Sequence, residues 1–226
     1  MAYGEGAAAM TRPQAVIFDM DGVILDSERT AMLAWKRVGA ERGLKDIDRV
    51  LEECTGINEP AAEAVMKRAY GRDFDFYEWK RTVNRVRLDI CGGAIPPKPG
   101  AEALLGRLRE WGIPRALASS TRSSQVEREL TDAGLIGYFD AIVCGDMVER
   151  SKPAPDIFLA AARALSAEPS RCVVVEDSPN GLRAAAAAGM YPVLVPDRMP
   201  VTEEMRRIAG AVVPSLTALI ALLEAA

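Results

Sequence analysis

The segment that most constrains the fold is Ala15–Phe18, a short apolar run that leads into Asp19, Asp21 and Gly22. Apolar runs of this length are typical of strands that are buried on both faces of a parallel sheet. The two aspartates follow the run directly, and open α/β sheets bind their ligands beside the carboxyl ends of their strands. Gly22 can leave the strand in a backbone conformation that other residues avoid. The segment therefore predicts two carboxylates that turn into a cleft at the edge of a sheet.

Short β-rich runs alternate with helical patterns along most of the remaining chain. Two of the helical patterns stop at Gly134 and Gly189, where the left-handed residue that follows a helix is expected. Because strands that alternate with helices form parallel sheets, we expect an α/β fold with a Rossmann-like parallel sheet core covered by helices on both faces. The expected strands are residues 15–18, 115–118, 141–144, 172–175, 192–195 and a weaker one at 211–213, and the expected helices include residues 101–111, 123–133, 157–165 and 180–188.

The alternation is interrupted between the first two expected strands. Residues 29–96 show no convincing strand, and Pro96, Pro97 and Pro99 mark the return to the sheet pattern. We therefore predict an inserted all-α helical cap domain, residues 29–96, within a core formed by residues 1–28 and 97–226. The amphipathic stretches that predict the helices of the cap are residues 30–41, 46–54, 59–70 and 76–90.

The amino-acid composition excludes several kinds of catalytic chemistry. The 226 residues include no histidine, which removes Ser-His-Asp and Cys-His mechanisms and the usual zinc sites with histidine ligands. Carboxylates, lysine, hydroxyls, thiols and a hard metal ion remain. The cysteines occur singly, which is typical of core thiols in a reduced intracellular protein rather than of a disulfide framework. They are Cys54, Cys91, Cys144 and Cys172.

Charge and hydropathy limit the expected partners and location. The formal net charge is -4 and no basic stripe is present, so we do not expect nucleic acid as a partner. No apolar run approaches the length of a membrane span. Residues 1–14 are small and polar, without the hydrophobic region of a secretion signal. We therefore expect a cytoplasmic protein without a membrane partner, and a monomer.

Two other expected strands also end on polar side chains. Residues 116–118 lead into Ser119 and Ser120, whose hydroxyl and amide would bind phosphate oxygens, although Ser-Ser-Thr is equally typical of a helix N-cap. Residues 173–175 lead into Glu176 and Asp177, which could cap the next helix or hold a metal ion. Because two strands each end on a carboxylate pair, a metal site is favoured over capping.

A lysine in a rigid loop adds a positive charge to this set. Prolines follow Lys152 in the run Lys-Pro-Ala-Pro, so the lysine is either a solvated surface charge or a fixed counter-charge to a metal and a phosphate. If the acidic residues converge, they cannot all stay ionised without compensation. Mg²⁺, bound through oxygens, is the usual ion where phosphate is the substrate. The acidic residues are Asp19, Asp21, Glu176 and Asp177.

The order of these motifs resembles the haloacid dehalogenase (HAD) superfamily. More narrowly, Asp-Met-Asp-Gly-Val, a strand that ends on serine, Lys-Pro-Ala-Pro-Asp and Glu-Asp-Ser resemble the β-phosphoglucomutase-like phosphatases, which carry a helical cap after the first motif. The resemblance extends from residue 15 to residue 190. It implies a hydrolase that cleaves the phosphate ester of a small metabolite, such as a sugar or sugar-acid phosphate.

The resemblance also implies a role for each motif residue. Asp19 would be the nucleophile that forms an aspartyl-phosphate and would also contact the metal. Asp21 would protonate the leaving oxygen and then activate water, while its main-chain carbonyl holds the metal. Asp177 would be a carboxylate ligand of the metal, and Glu176 would bind it directly or through water.

Further residues would contact the substrate. Ser119, Lys152 and the amides of Met20 and Asp21 would bind the phosphoryl oxygens. The cap loop that ends at Asn58, and Arg122 in the segment after Ser119, are expected to face the rest of the substrate; for Arg122, an exposed position in the first turn of a helix is equally expected. The cap loop and Arg122 would then select the phosphate ester.

Departures from the family separate the alternatives. β-Phosphoglucomutases carry a histidine at the position of Ala31 and a phosphate-binding arginine at the position of Glu59, where a carboxylate would repel a second phosphate. A simple phosphatase is therefore favoured over a phosphosugar mutase. The presence of Asp21 makes dehalogenation unexpected. A non-catalytic phosphate-binding protein on the same fold is the alternative from another class.

Overall fold

The computed structural model describes residues 12–55 and 59–226, and its centre is a parallel β-sheet. Within the described residues the sheet has six strands in the order β3-β2-β1-β4-β5-β6, so the predicted α/β fold with a parallel sheet core is confirmed. The strands are β1 (Ala15–Phe18), β2 (Arg115–Ser119), β3 (Ala141–Cys144), β4 (Cys172–Glu176), β5 (Tyr191–Leu194) and β6 (Ala211–Val212).

The strand order makes β1 the central element on which the site is built. Phe18 at the end of β1 pairs with Leu117 of β2 on one side and with Val175 of β4 on the other. From β1 the chain adds β2 and β3 outward in one direction, and β4, β5 and β6 outward in the other. The direction of winding therefore changes between β1 and β4, which is where doubly wound sheets bind their ligands.

Both faces of the sheet are covered, because neighbouring residues of β1 point to opposite faces and all are fully buried. On one face, Ile17 packs in an apolar cluster with Phe158 and Ala184, which belong to two of the helices. The helices of this unit are α5 (Ala101–Glu110), α6 (Ser123–Asp132), α7 (Asp156–Ala164), α8 (Pro179–Ala187), α9 (Glu203–Ile208) and α10 (Leu216–Glu224).

The chain divides into two compact units. The sheet unit comprises the described residues up to Asp26 together with Pro97–Ala226, and the helical unit is Ser27–Pro96. The first boundary lies two residues before the expected one at 28/29, because the first helix begins at Ser27 rather than at residue 30. The function of the helical unit as a cap stays a prediction.

The helical unit has an apolar core of its own. Trp79 is fully buried in it, and its ring meets that of Trp35 edge to face with centroids 5.6 Å apart. Helix α1 packs mainly against α4, and α2 packs against α3. The helices are α1 (Ser27–Glu41), α2 (Ile47–Cys54), α3 (Glu59–Tyr70) and α4 (Phe76–Ile90).

The ends of the elements differ from the expected ones in an informative way. Strands β2 and β4 each extend one residue further than expected, so that Ser119 and Glu176 belong to the sheet. Helices α9 and α10 have no counterpart in the sequence analysis. All four cysteine thiols are free, as expected from their single placement, and Cys144 and Cys172 are buried. In the part of the chain that the structure describes, no helix combines the length and the apolar character that a membrane crossing requires.

Candidate active site

Asp19 continues the sheet for one residue beyond β1. Its amide donates a hydrogen bond of 3.0 Å to the carbonyl of Val175, and its side chain is largely buried. The chain then turns sharply, because the amides of Ile24 and Leu25 both donate hydrogen bonds of 2.9 Å to the carbonyl of Met20. Gly22 adopts a φ of 76° in this turn, as its predicted role requires. The turn fixes Asp19 and Asp21 beside the carboxyl end of β1.

Lys152 joins the ends of the three central strands. Its Nζ lies 2.5 Å from Asp19 Oδ1, 2.7 Å from Glu176 Oε1 and 3.0 Å from the carbonyl oxygen of Ala118. These contacts use the three hydrogens of the ammonium group. Only 7% of the lysine side chain is exposed, so the alternative of a solvated surface lysine is wrong.

The Lys152 cluster shifts the pKa values of its members. Burial, aided by the charges of Glu176 and Asp21 and opposed by Lys152, raises the pKa of Asp19 to about 7. Burial alone would lower the pKa of Lys152, but the charges of Asp19 and Glu176 outweigh it and the pKa is raised. The lysine is therefore held protonated, while burial, together with the neighbouring carboxylates, disfavours the ionised form of Asp19.

Glu176 is held at both of its carboxylate oxygens. Oε1 accepts from Lys152, and Oε2 accepts from the amide of Asp177 at 3.1 Å and from the amide and hydroxyl of Ser178 at 3.1 and 2.9 Å. Gly181 provides the space, since a Cβ at this position would overlap the glutamate carboxylate. Glu176 thus links Lys152 to the start of α8 through hydrogen bonds. The contact of Glu176 with a metal ion stays a prediction.

The hydroxyls after β2 reach the second aspartate of the first motif. Ser119 is buried and accepts a hydrogen bond from the amide of Thr121 at 3.1 Å, while Thr121 Oγ1 donates to Asp21 Oδ2 at 3.2 Å. The N-cap reading of this segment is wrong, because α6 begins at Ser123 and Asp146 accepts from the amide of that residue at 2.9 Å. Ser119 is the last residue of β2 and is not a helix cap.

Three expected substrate-binding positions are less constrained by the structure. Ser120 is exposed, and its carbonyl lies so close to Gly145 that a side chain at 145 would clash. Arg122 is exposed at the residue before α6. Asn58 lies outside the described residues.

Thr121 is the functional candidate that the sequence analysis missed. Its signal was present, because a third hydroxyl follows Ser119 and Ser120. The direction of its side chain depends on the path of the loop between β2 and α6. Local sequence does not reveal that path.

The donor set suits a hard divalent cation. Asp19, Asp21 and Asp177 offer carboxylate and carbonyl oxygens, which are the ligands that Mg²⁺ prefers. Gly22 allows the Asp177 carboxylate to approach the turn of the first motif closely, since a Cβ on Gly22 would clash with Asp177 Oδ2. Burial is the main cause of the raised pKa of Asp19 and the charges of Glu176 and Asp21 add to it, and a bound cation would oppose these effects. The residues therefore fit the ion that the sequence predicts.

Several known proteins are similar to this chain. A family model for haloacid dehalogenase-like hydrolases matches residues 13–189. A fructose-1-phosphate phosphatase of Escherichia coli is 35% identical over 182 residues, covering 79% of this chain and 94% of the relative. A phosphorylated carbohydrates phosphatase of Thermotoga maritima is 32% identical over 177 residues, covering 78% of this chain and 82% of the relative.

A solved structure is similar over nearly the whole chain. The crystal structure of a Thermotoga maritima protein, provisionally described as a β-phosphoglucomutase, superposes with a TM-score of 0.80 at 29% identity, covering 94% of this chain and 99% of that one. The chain belongs to the haloacid dehalogenase-like hydrolases, and it is an enzyme of the phosphoric monoester hydrolase class. The resemblance identified from the sequence is confirmed, while the roles of individual site residues stay predictions.

The buried ion pairs of Lys152 predict a large stability effect. Replacing Lys152 with methionine leaves Asp19 and Glu176 without their counter-charge, which costs about 3–5 kcal/mol when carboxylates stay buried and unpaired. We expect this loss in the free energy of unfolding, measured by urea denaturation in EDTA.

Arg150→Met is the matched control for this variant, because Arg150 lies in the same loop as Lys152 and pairs with Asp156, but its side chain is 68% exposed. We expect Arg150→Met to cost far less than Lys152→Met, because a solvent-exposed ion pair contributes little to stability. Equal costs for the two variants would show that the Lys152 cluster is no more buried in solution than a surface pair.

Proposed function

We propose that the protein is a Mg²⁺-dependent phosphatase that hydrolyses a small phosphorylated metabolite, a sugar or sugar-acid phosphate, through an aspartyl-phosphate on Asp19. The observation that carries this proposal is the contact of Lys152 with Asp19 at the end of the central strand, with Asp21 two residues further on. A buried carboxylate held by a fixed ammonium group is oriented for attack, and the same positive charge favours the approach of a phosphate.

The first step transfers the phosphoryl group to the enzyme. A carboxylate oxygen of Asp19 forms a bond to phosphorus, and the bond from phosphorus to the ester oxygen breaks. Asp21, in its protonated form, gives its proton to the leaving alkoxide, so the product is a neutral alcohol. Ser119 and the amides of Met20 and Asp21 hold the phosphoryl oxygens during the transfer.

The second step regenerates the enzyme. Asp21, now ionised, takes a proton from water as the water oxygen forms a bond to phosphorus and the acyl-phosphate bond breaks. Inorganic phosphate and free Asp19 result. The Thr121 hydroxyl donates to Asp21 Oδ2, which fixes the rotamer of the carboxyl group and leaves its other oxygen for proton transfer.

Asp19 and Asp177, with the main-chain carbonyl of Asp21, would hold Mg²⁺, and Glu176 would contact it directly or through water. When bound, the ion neutralises charge on the transferring phosphoryl group. The residues of the chain supply the remaining requirements, which are orientation of the nucleophile and movement of the proton.

The substrate class is supported by the relatives, which are named for sugar phosphates. We place Asn58 and Arg122 among the residues that select the ester. Arg122 follows the serine hydroxyls and is exposed, so its guanidinium is available to a second anionic group of a substrate.

A phosphosugar mutase is the second candidate, because the similar crystal structure carries that description. Residue 59 argues against it. The resemblance aligns Glu59 with the phosphate-binding arginine of the mutases, and Glu59 forms an ion pair with Lys80 at 2.6 Å in the helical unit. Holding a bisphosphate intermediate at this position would require two anions to approach each other.

A panel of metabolite phosphates tests the proposal through phosphate release in Mg²⁺ or in EDTA. We expect turnover that requires the metal and that falls at least about a thousandfold in Asp19→Asn, since the nucleophile is lost. Asp140→Asn is the matched control, because Asp140 pairs with Arg115 at the opposite end of β2, and its rate should stay within about threefold.

Isomerisation of a sugar monophosphate primed by a bisphosphate, without net phosphate release, would identify the mutase instead. Absence of both activities would leave the non-catalytic binding protein.

Thr121 gives a second test of the mechanism. Thr121→Val removes the hydrogen bond to a charged carboxylate, a loss of about 1.5–3 kcal/mol that corresponds to roughly a 10- to 100-fold fall in kcat. We expect KM to change little and Thr121→Ser to restore most of the rate. A kcat of Thr121→Val equal to that of the wild type would show that the hydroxyl does not orient Asp21.

A further inference from the structure

A second acidic residue lies beside Asp177 in the sheet unit. Strand β5 pairs with β4 in parallel. Just after β5, the amide of Val195 donates a hydrogen bond of 2.8 Å to the carbonyl of Glu176. The carboxyl end of β5 therefore lies beside the carboxyl end of β4. Asp197 follows two residues later, and carboxylate oxygens of Asp177 and Asp197 lie within 4.8 Å of one another.

Lys98 fixes one oxygen of this residue. Its Nζ lies 2.5 Å from Asp197 Oδ1, and the two side chains are 17% and 10% exposed. The main chain of Lys98 is bonded to the turn of the first motif. Its amide donates a hydrogen bond of 2.8 Å to the carbonyl of Ile24, and Pro97 forms an isolated β-bridge with Leu25. The ion pair thus connects the end of β5 to the turn that carries the catalytic aspartates.

The other oxygen is buried without a donor. Asp197 Oδ2 has no hydrogen-bond partner among the residues that the structure describes. It lies 3.2 Å from the position that a Cβ on Gly22 would occupy, a position that Asp177 Oδ2 also approaches closely. Both Oδ2 atoms therefore converge on the gap that the missing side chain of Gly22 leaves.

This arrangement is costly unless a donor from outside the chain fills it. A buried carboxylate oxygen without a hydrogen bond costs about 1–3 kcal/mol, and two carboxylates this close repel each other. Lys98 compensates only Oδ1. A Mg²⁺ ion usually keeps several of its waters in a protein site, and such a water is a strong donor to a carboxylate.

We propose that Asp197, held by Lys98, is a positioning residue of the metal centre, whose Oδ2 accepts a hydrogen bond from a water molecule on the cation bound by Asp177. The inference rests on the proposed metal-dependent function and adds residues that lie outside the family motifs. It gives Gly22 a second role besides its backbone conformation, since a Cβ at this position would clash with the Asp177 carboxylate and crowd Asp197 Oδ2.

The test is the affinity of the protein for Mn²⁺, used as a spectroscopic substitute for Mg²⁺ and measured by titration with electron paramagnetic resonance detection. We expect Asp197→Asn to weaken binding about 10- to 100-fold, as changes to such outer partners do. An amide has a single acceptor oxygen, so it cannot serve both Lys98 and the water. Asp140→Asn, the same change at an ion pair at the opposite end of β2, should leave the affinity within about twofold.

A double variant separates a structural role from a role at the metal. Lys98→Met combined with Asp197→Asn removes the ion pair without leaving a buried unpaired charge, so it should fold even if Asp197→Asn does not. We expect its Mn²⁺ affinity to be as weak as that of Asp197→Asn, with the free energy of unfolding in EDTA close to that of the wild type.

An unchanged Mn²⁺ affinity in folded Asp197→Asn or in the double variant would overturn the inference. If the wild-type protein binds Mn²⁺ and releases phosphate while these variants bind equally well, only the role of Asp197 fails. If the wild-type protein binds no Mn²⁺, the metal-dependent function fails with it.

Discussion

The buried contact between Lys152, Asp19 and Glu176 is the interaction on which the site depends. One ammonium group is shared between two carboxylates and a main-chain carbonyl, with little exposure of any partner. Such a cluster is stable only if every donor and acceptor is satisfied. The neighbouring features follow from this requirement: Ser178 and the start of α8 fill the remaining acceptor of Glu176, and Gly181 makes room for it.

The strand order explains how residues far apart in sequence form one site. The central position of β1 places its carboxyl end between those of β2 and β4, at the reversal of winding where doubly wound sheets bind their ligands. The carboxyl ends of the central strands thereby bring together Asp19, Ser119 and Glu176, although a hundred or more residues separate the first from the others. The loop before α7 then needs to supply only one residue, Lys152, to complete the charge cluster.

The sequence predicted the parts of the site that coincide with the end of a strand. Asp19 and Glu176 could be identified because a polar residue after a buried apolar run marks both the edge of a sheet and its chemistry. Thr121 could not, because its direction depends on the loop path. Lys98 and Asp197 carry no local signal at all, since their significance rests on mutual distance and on a buried oxygen without a donor. The ends of the strands were misjudged by one residue for the related reason that polar side chains there are still paired in the sheet.

The most direct test of the account is to trap the covalent intermediate. The enzyme is quenched during turnover of its best substrate and treated with borohydride, which reduces an acyl phosphate to the alcohol, and the modified residue is located by peptide mass. The account predicts homoserine at position 19 in samples that received both substrate and Mg²⁺, and none in the absence of substrate. Phosphate release at full rate with Asp19 unmodified throughout turnover would contradict a mechanism that proceeds through this carboxylate.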